Sequence, residues 1–242
     1  MKRLFAIILS GMMVCGVVDA NAEEMTVDFS ADGLSGYVWR GALLGADDKL
    51  VLQPAISLGF GESDITAGAW GSVFFQSRNQ LESFDEIDLW ADYTTALGAE
   101  SSVSVSIGFT EYLFPNGGTG SKHSEEAYLG LSLDHQFAPS VTFYYDFGLI
   151  DDYYVTVGLG PSLPLGEDDN APTLDLGASV SFSGDSAGYG GKAGFNDATF
   201  TASMSFSAGQ LSITPIAGIT IPKNNLNPDT TFWGGISLGF SR

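Results

Sequence analysis

From Phe232 to Phe240 the chain reads F-W-G-G-I-S-L-G-F, so that Phe232, Gly234, Ile236, Leu238 and Phe240 share one side of an extended backbone. Trp233, Gly235, Ser237 and Gly239 take the other. A period of two with one greasy and one wet face predicts a β-strand standing between two different solvents. Hydrocarbon satisfies no unpaired backbone group, so a strand of this kind needs a partner on both edges. The last strand is therefore expected to pair with the first and close a β-barrel.

The same period recurs along the chain. Val27, Phe29 and Ala31 lead a first strand that runs to Arg40, with Asp28, Ser30 and Asp32 on the opposite face. Further alternating runs start near Leu50, Ile65, Glu86, Ser102, Glu126, Val141, Tyr153, Leu174, Phe200 and Leu211. With the closing run they predict an all-β fold, a transmembrane antiparallel up-and-down barrel of about 12 strands. Short polar connectors at residues 61–64, 138–140 and 208–210 suit the inner rim. Longer ones at 41–49, 77–85, 115–124, 183–194 and 222–230 suit the cell exterior, while one pair breaks the rule, with a short outer connector at 148–152 and an inner one at 166–171 no shorter than some outer loops. Aromatics gather toward strand ends, Tyr37, Trp39, Phe74, Tyr112 and Tyr153 in an outer girdle and Phe60, Phe137, Phe206 and Phe240 in an inner one.

Ahead of the strands stand Lys2 and Arg3, an apolar stretch over residues 4–18, and Ala20-Asn21-Ala22. These are the three parts of a secretory signal peptide, expected over residues 1–22 with the barrel over 23–242; the apolar stretch is too short to span a bilayer. Cys15 lies within it, so the processed chain has no thiol for a disulfide, metal site or nucleophile. The formal charge is −20, and losing Lys2, Arg3 and Asp19 leaves the remainder more acidic still. Such a surface repels nucleic acid.

The runs Tyr37-Val38-Trp39-Arg40-Gly41, Leu52-Gln53-Pro54, Tyr144-Tyr145-Asp146-Phe147 and Phe232-Trp233-Gly234-Gly235 give the chain a resemblance to a family. It resembles the uncharacterised Gram-negative outer-membrane β-barrel proteins grouped with the TorF-type porins. The resemblance implies a porin-like barrel and supplies no catalytic residue. Ser241 and Arg242 follow the last aromatic, a departure from the usual barrel terminus.

If the apolar phase faces lipid, the lumen receives Arg40, Asp88, Asp92, Asp134, Tyr144 and Asp146, together with Asp28, Asp32, Tyr128 and Asp175. Carboxylates in excess favour cations, and Arg40 facing Asp88 and Asp92 is the expected constriction. The expected function is passive diffusion of small cationic or neutral solutes across the outer membrane. The alternatives are a non-conducting structural or surface-binding barrel and a lipid-modifying enzyme. An enzyme needs a nucleophile beside a base, and the nearest approach is His123 close to Ser121 and Ser124 in a glycine-rich loop. His135 falls near an inner strand end, and Glu167-Asp168-Asp169-Asn170 lacks the ligand spacing of a calcium loop. No enzymatic activity, cofactor or metal is expected. The expected partners are outer-membrane lipid and lipopolysaccharide, and the barrel-assembly machinery through the C-terminal strand. Nucleic acid is not among them, and the oligomeric state is open.

Overall fold

Side chains that alternate between two solvents require a sheet with two unlike faces, and the structure, a computed structural model, supplies one by closing the sheet on itself. It describes residues 25–44, 50–61, 63–75, 85–98, 101–116, 122–167, 171–226 and 229–242; the expected signal peptide lies outside them. The elements are β1 (Met25–Leu34), β2 (Tyr37–Trp39), β3 (Ala42–Leu44), β4 (Val51–Phe60), β5 (Ile65–Phe74), β6 (Glu86–Ala96), β7 (Val103–Leu113) and β8 (His123–Leu133). They continue with β9 (Ser140–Asp146), β10 (Asp152–Leu159), β11 (Ser162–Pro164), β12 (Thr173–Ser183), β13 (Gly194–Ala208), β14 (Leu211–Pro222) and β15 (Thr231–Ser241).

Every barrel strand pairs antiparallel with its neighbour, and β1 lies between β4 and β15, with Phe29 opposite both Ile56 and Phe240. β10 and β11 are one strand interrupted at Pro161, which has no N–H to give the ladder. Both pieces pair with β12 in a single register, Leu159 with Ala178 and Ser162 with Asp175. The barrel therefore has 12 strand lines, and its termini share one end, here called the inner rim.

The outer surface is apolar. Leu89, Ile107, Leu129, Phe143, Phe200 and Leu238 are exposed, Ile107 at 57% of its full area, while the alternate residues turn inward. A water-soluble protein hides such side chains; an exterior band of them around a polar interior is the arrangement that lipid stabilises. Large inward rings lie over inward glycines on the next strand, Trp90 across Gly68, Tyr128 across Gly108 and Trp233 across Gly218. A side chain at any of these glycines would meet the ring, so the pairs let the wall curve while its interior is filled.

The first strand is shorter than the sequence predicts. β1 stops at Leu34, and β2 and β3 form a hairpin that folds back into the barrel, paired through Tyr37 with Leu44, Val38 with Leu43 and Trp39 with Ala42. Its two-residue loop is Arg40-Gly41, at φ 47° and 78°, the left-handed pair that a tight type I′ turn requires. An inward hairpin has the same period of two as a continuing strand, which is why the alternation runs on past Leu34. Tyr37 and Trp39 consequently lie inside the barrel rather than in an outer aromatic girdle, with Tyr37 packed on Trp70 and Phe74. Leu34, Tyr37, Val51 and Trp70 form a buried cluster on that wall.

A second inward element follows β12. The 3-10 turn Ala187–Tyr189 is capped by the Ser186 hydroxyl, which accepts from the Gly188 N–H, and it buries Tyr189. Next to it, β13 carries one residue more than β12 opposes: Ser181 pairs with Asp197 and Phe182 with Phe195, leaving Asn196 as the extra residue of a bulge. Two successive side chains, Asn196 and Asp197, thereby both point inward and are buried.

Candidate functional site

The site grows from the hairpin tip. An arginine at a left-handed φ costs about 1–2 kcal/mol relative to glycine, and here its side chain is held from several directions. Arg40 Nη1 and Nη2 donate to Glu126 Oε2 and Oε1, each at 2.6 Å, a two-pronged pair between a side chain that is 4% exposed and one that is 1% exposed. Nη1 also donates to the Tyr189 hydroxyl. The Arg40 guanidinium carbon lies 4.6 Å from the ring centre of Trp39, 4.7 Å from those of Tyr144 and Tyr154, and 5.6 Å from that of Tyr189. These are cation–π distances, and with water excluded they strengthen. Taking both charges out of water is costly, and the fork-shaped pairing with added donors offsets it.

The rings and carboxylates are themselves fixed. The Tyr112 hydroxyl donates to Glu126 Oε1 at 3.1 Å, and the Tyr154 hydroxyl donates to Asp197. Asn196 Nδ2 donates to the Tyr189 carbonyl at 3.2 Å and to Ser183 Oγ at 3.0 Å, while Asn224 Nδ2 donates to Asn196 Oδ1 at 3.0 Å. Gly41 sits against this group: a Cβ there would collide with Asn196, Asp197 and Asn224. From Trp70 on β5, through Tyr112, Glu126, Tyr144 and Tyr154, to Asp197 on β13, the hairpin reaches side chains around most of the circumference. It crosses the outer half of the lumen. Below it, toward the inner rim, a small cavity of about 40 Å³ is lined by Ser30, Ser57, Trp90, Ser212, Thr214 and Ser237 among others.

The residues expected in the lumen have separate places. Arg40 is buried at the hairpin tip, and it faces Glu126 rather than Asp88 and Asp92; the expected constriction is corrected on that point because the inward hairpin carries Arg40 across the lumen to β8. Tyr144 is a wall of the box. Asp146 accepts from Ser124 Oγ at 2.7 Å and from the Gly148 and Ile150 N–H groups at 3.0 Å, so it ties down the turn after β9. Asp92 accepts from the Tyr128 hydroxyl at 2.7 Å and from Thr94 at 2.6 Å. Asp88 is half-buried beside Trp70, and one of its carboxylate oxygens has no hydrogen-bond partner. Asp134 is not in the lumen: it follows the end of β8, exposed at the inner rim, with its N–H bonded to the Ser102 carbonyl.

Glu126, Tyr154, Tyr189, Asn196 and Asp197 are missing from the sequence-predicted set. Alternation puts Glu126 and Tyr154 on the inner face, but what they contact depends on a hairpin that alternation cannot distinguish from a strand. The Arg-Gly pair was the available signal, since Gly after a residue that can adopt a left-handed φ marks a tight hairpin turn.

The serine–histidine arrangement considered for an enzyme is not formed by the described residues. Ser124 points inward to Asp146, and His123 points outward to Glu111 and Glu125, with Nδ1 at 3.2 and 3.0 Å from their carboxylates. Neighbours on a strand face opposite ways. Ser121 and residues 168–170 lie outside the described residues.

The fold has solved counterparts. The chain is similar to the NanC porin, with a TM-score of 0.59 at 10% identity over 88% of this chain and 98% of that one. It is similar to the KdgM porin, with a TM-score of 0.54 at 10% identity over 89% and 98%. A third similarity is to an outer-membrane channel from Pseudomonas putida F1, with a TM-score of 0.51 at 12% identity over 96% and 100%. At these identities the likeness establishes the porin-like barrel fold. No match is found among curated proteins. Residues 20–224 match the profile of a family described as bacterial protein of unknown function, Gcw_chp, and the chain belongs to that family.

Proposed function

We propose that this protein is a channel of the outer membrane for small neutral or cationic solutes, in which the β2–β3 hairpin sets the passage through the outer half of the lumen. The observation that carries the reading is the contrast between an apolar exterior and an interior of hydroxyls and carboxylates. Arg40 is the one buried cation among the described residues, whereas Asp88, Asp92, Glu126, Asp146 and Asp197 all turn inward. Such a lumen attracts cations and repels anions. The KdgM porin has been solved with oligogalacturonate; an acidic lumen is a poor path for a polyanion, so the solutes of this chain differ in charge from that ligand. The TorF-type grouping, a signal peptide over residues 1–22, contact with lipopolysaccharide, and assembly through β15 belong to the same reading.

Ion current across planar bilayers tests it. The refolded protein is expected to give reproducible steps whose reversal potential in a salt gradient has the sign of cation preference, and Asp88→Lys with Asp92→Lys is expected to move that potential toward anions. A hairpin that spans the lumen favours a second reading, a barrel that conducts nothing. Silence from the folded protein, both with the hairpin present and with it removed, would establish that one.

A further inference from the structure

We propose that the box around the Arg40 guanidinium is a binding site for small organic cations of the guanidinium or alkylammonium class, and that Arg40 fills it as a tethered stand-in. This deepens the channel reading and rests on it for the route by which such a cation arrives. Apart from Trp39, the walls belong to the barrel and its β12–β13 connection: Tyr112 on β7, Glu126 on β8, Tyr144 on β9, Tyr154 on β10, and Tyr189. The box therefore persists if the hairpin withdraws.

Its chemistry is that of cation recognition. A carboxylate presents both oxygens at 2.6 Å to a planar cation, three rings of the barrel and its loop stand within 5.6 Å, and the Tyr189 hydroxyl accepts one further N–H. Aromatic faces beside a carboxylate suit a guanidinium best and accept an alkylammonium, while an anion meets Glu126 and Asp197. The occupant is also at a position that opposes it, because φ 47° favours glycine over arginine. Withdrawal of Arg40 would leave Glu126 buried and unpaired, which is strongly unfavourable. A free cation that takes the place of Arg40 removes that penalty, binds only the withdrawn arrangement, and so shifts the hairpin outward.

Arg40→Gly is the variant to use, since Gly-Gly suits a type I′ turn and the barrel wall is untouched. In detergent-folded protein, methylguanidinium at about 10 mM is expected to raise the thermal midpoint of Arg40→Gly by about 3 °C or more against equimolar sodium chloride. Adding Glu126→Gln is expected to abolish the rise. No rise in folded Arg40→Gly, or a rise that persists in the double variant, overturns the proposal. Should Arg40→Gly not assemble, the unmodified channel decides: a current that increases with millimolar agmatine supports the site, and an unchanged current overturns it. The two readings separate cleanly. An Arg40→Gly barrel that is stabilised yet electrically silent keeps the box and loses the channel; one that conducts without stabilisation keeps the channel and loses the box.

Discussion

Arg40 and Glu126 hold each other in a place where neither is tolerated alone. Glu126→Gln keeps the shape of the side chain and removes its charge, leaving a guanidinium among rings with one carboxylate fewer. Breaking one side of a buried pair costs about 3–5 kcal/mol. Because the ladder of β7, β8 and β9 does not depend on the pair, the loss falls on hairpin docking rather than on the barrel. Trypsin reports it: the bond after Arg40 is expected to resist cleavage in the parent protein and to be cut in Glu126→Gln. Gly41→Ala is expected to loosen the same docking, by about 1–2 kcal/mol for the left-handed φ and more for the collision with Asn196, Asp197 and Asn224. At this scale the alternation is enough to put Arg40 inside the barrel and carries no sign of Glu126 as its partner. Strand phase orients a side chain without saying what lies across the lumen, 86 positions away in the chain. Asp134 failed for another reason: its strand ends one residue earlier, so the phase no longer constrains it.

The strands themselves were legible because hydrophobic alternation and sheet pairing are one constraint expressed twice: a one-residue slip would turn every leucine into the lumen. The hairpin was not, since an apolar residue every second position is equally satisfied by lipid outside a barrel or by packing inside it. Leu34 and Val51 face each other as a pair at the outer end of β1 and β4, with Cα atoms about 5 Å apart. A tight turn can therefore join them directly. Replacing residues 35–50 by a four-residue Asn/Gly/Ser turn is expected to leave assembly intact, seen as retained heat-modifiable gel mobility, and to increase single-channel conductance several-fold. Loss of assembly would mean that the hairpin supports the wall as well as filling it. The bulge at Asn196 belongs to this scale too. Nothing in the local sequence announces an extra residue, yet it brings Asn196 to the Tyr189 carbonyl and Asp197 to the Tyr154 hydroxyl.

Across the whole molecule, the decisive property is that the two faces of a strand meet opposite solvents, so equal substitutions an odd number of positions apart should have unequal consequences. Leu89 is 47% exposed on the outer wall, and Asp92, three residues on along β6, turns inward to Tyr128. A lysine at Leu89 places an ammonium against hydrocarbon, which costs about 2–4 kcal/mol at the bilayer midplane. A lysine at Asp92 loses two hydrogen bonds but keeps its charge in a polar lumen, at about 1 kcal/mol for each bond. Urea titration of vesicle-folded protein should show Leu89→Lys with the lower midpoint. Asp92→Lys should fold near the parent and alter ion preference instead. The reverse order would mean that water wets the leucines and hydrocarbon reaches the aspartates, an inside-out barrel that the exposed ring of Ile107, Leu129, Phe143 and Phe200 contradicts.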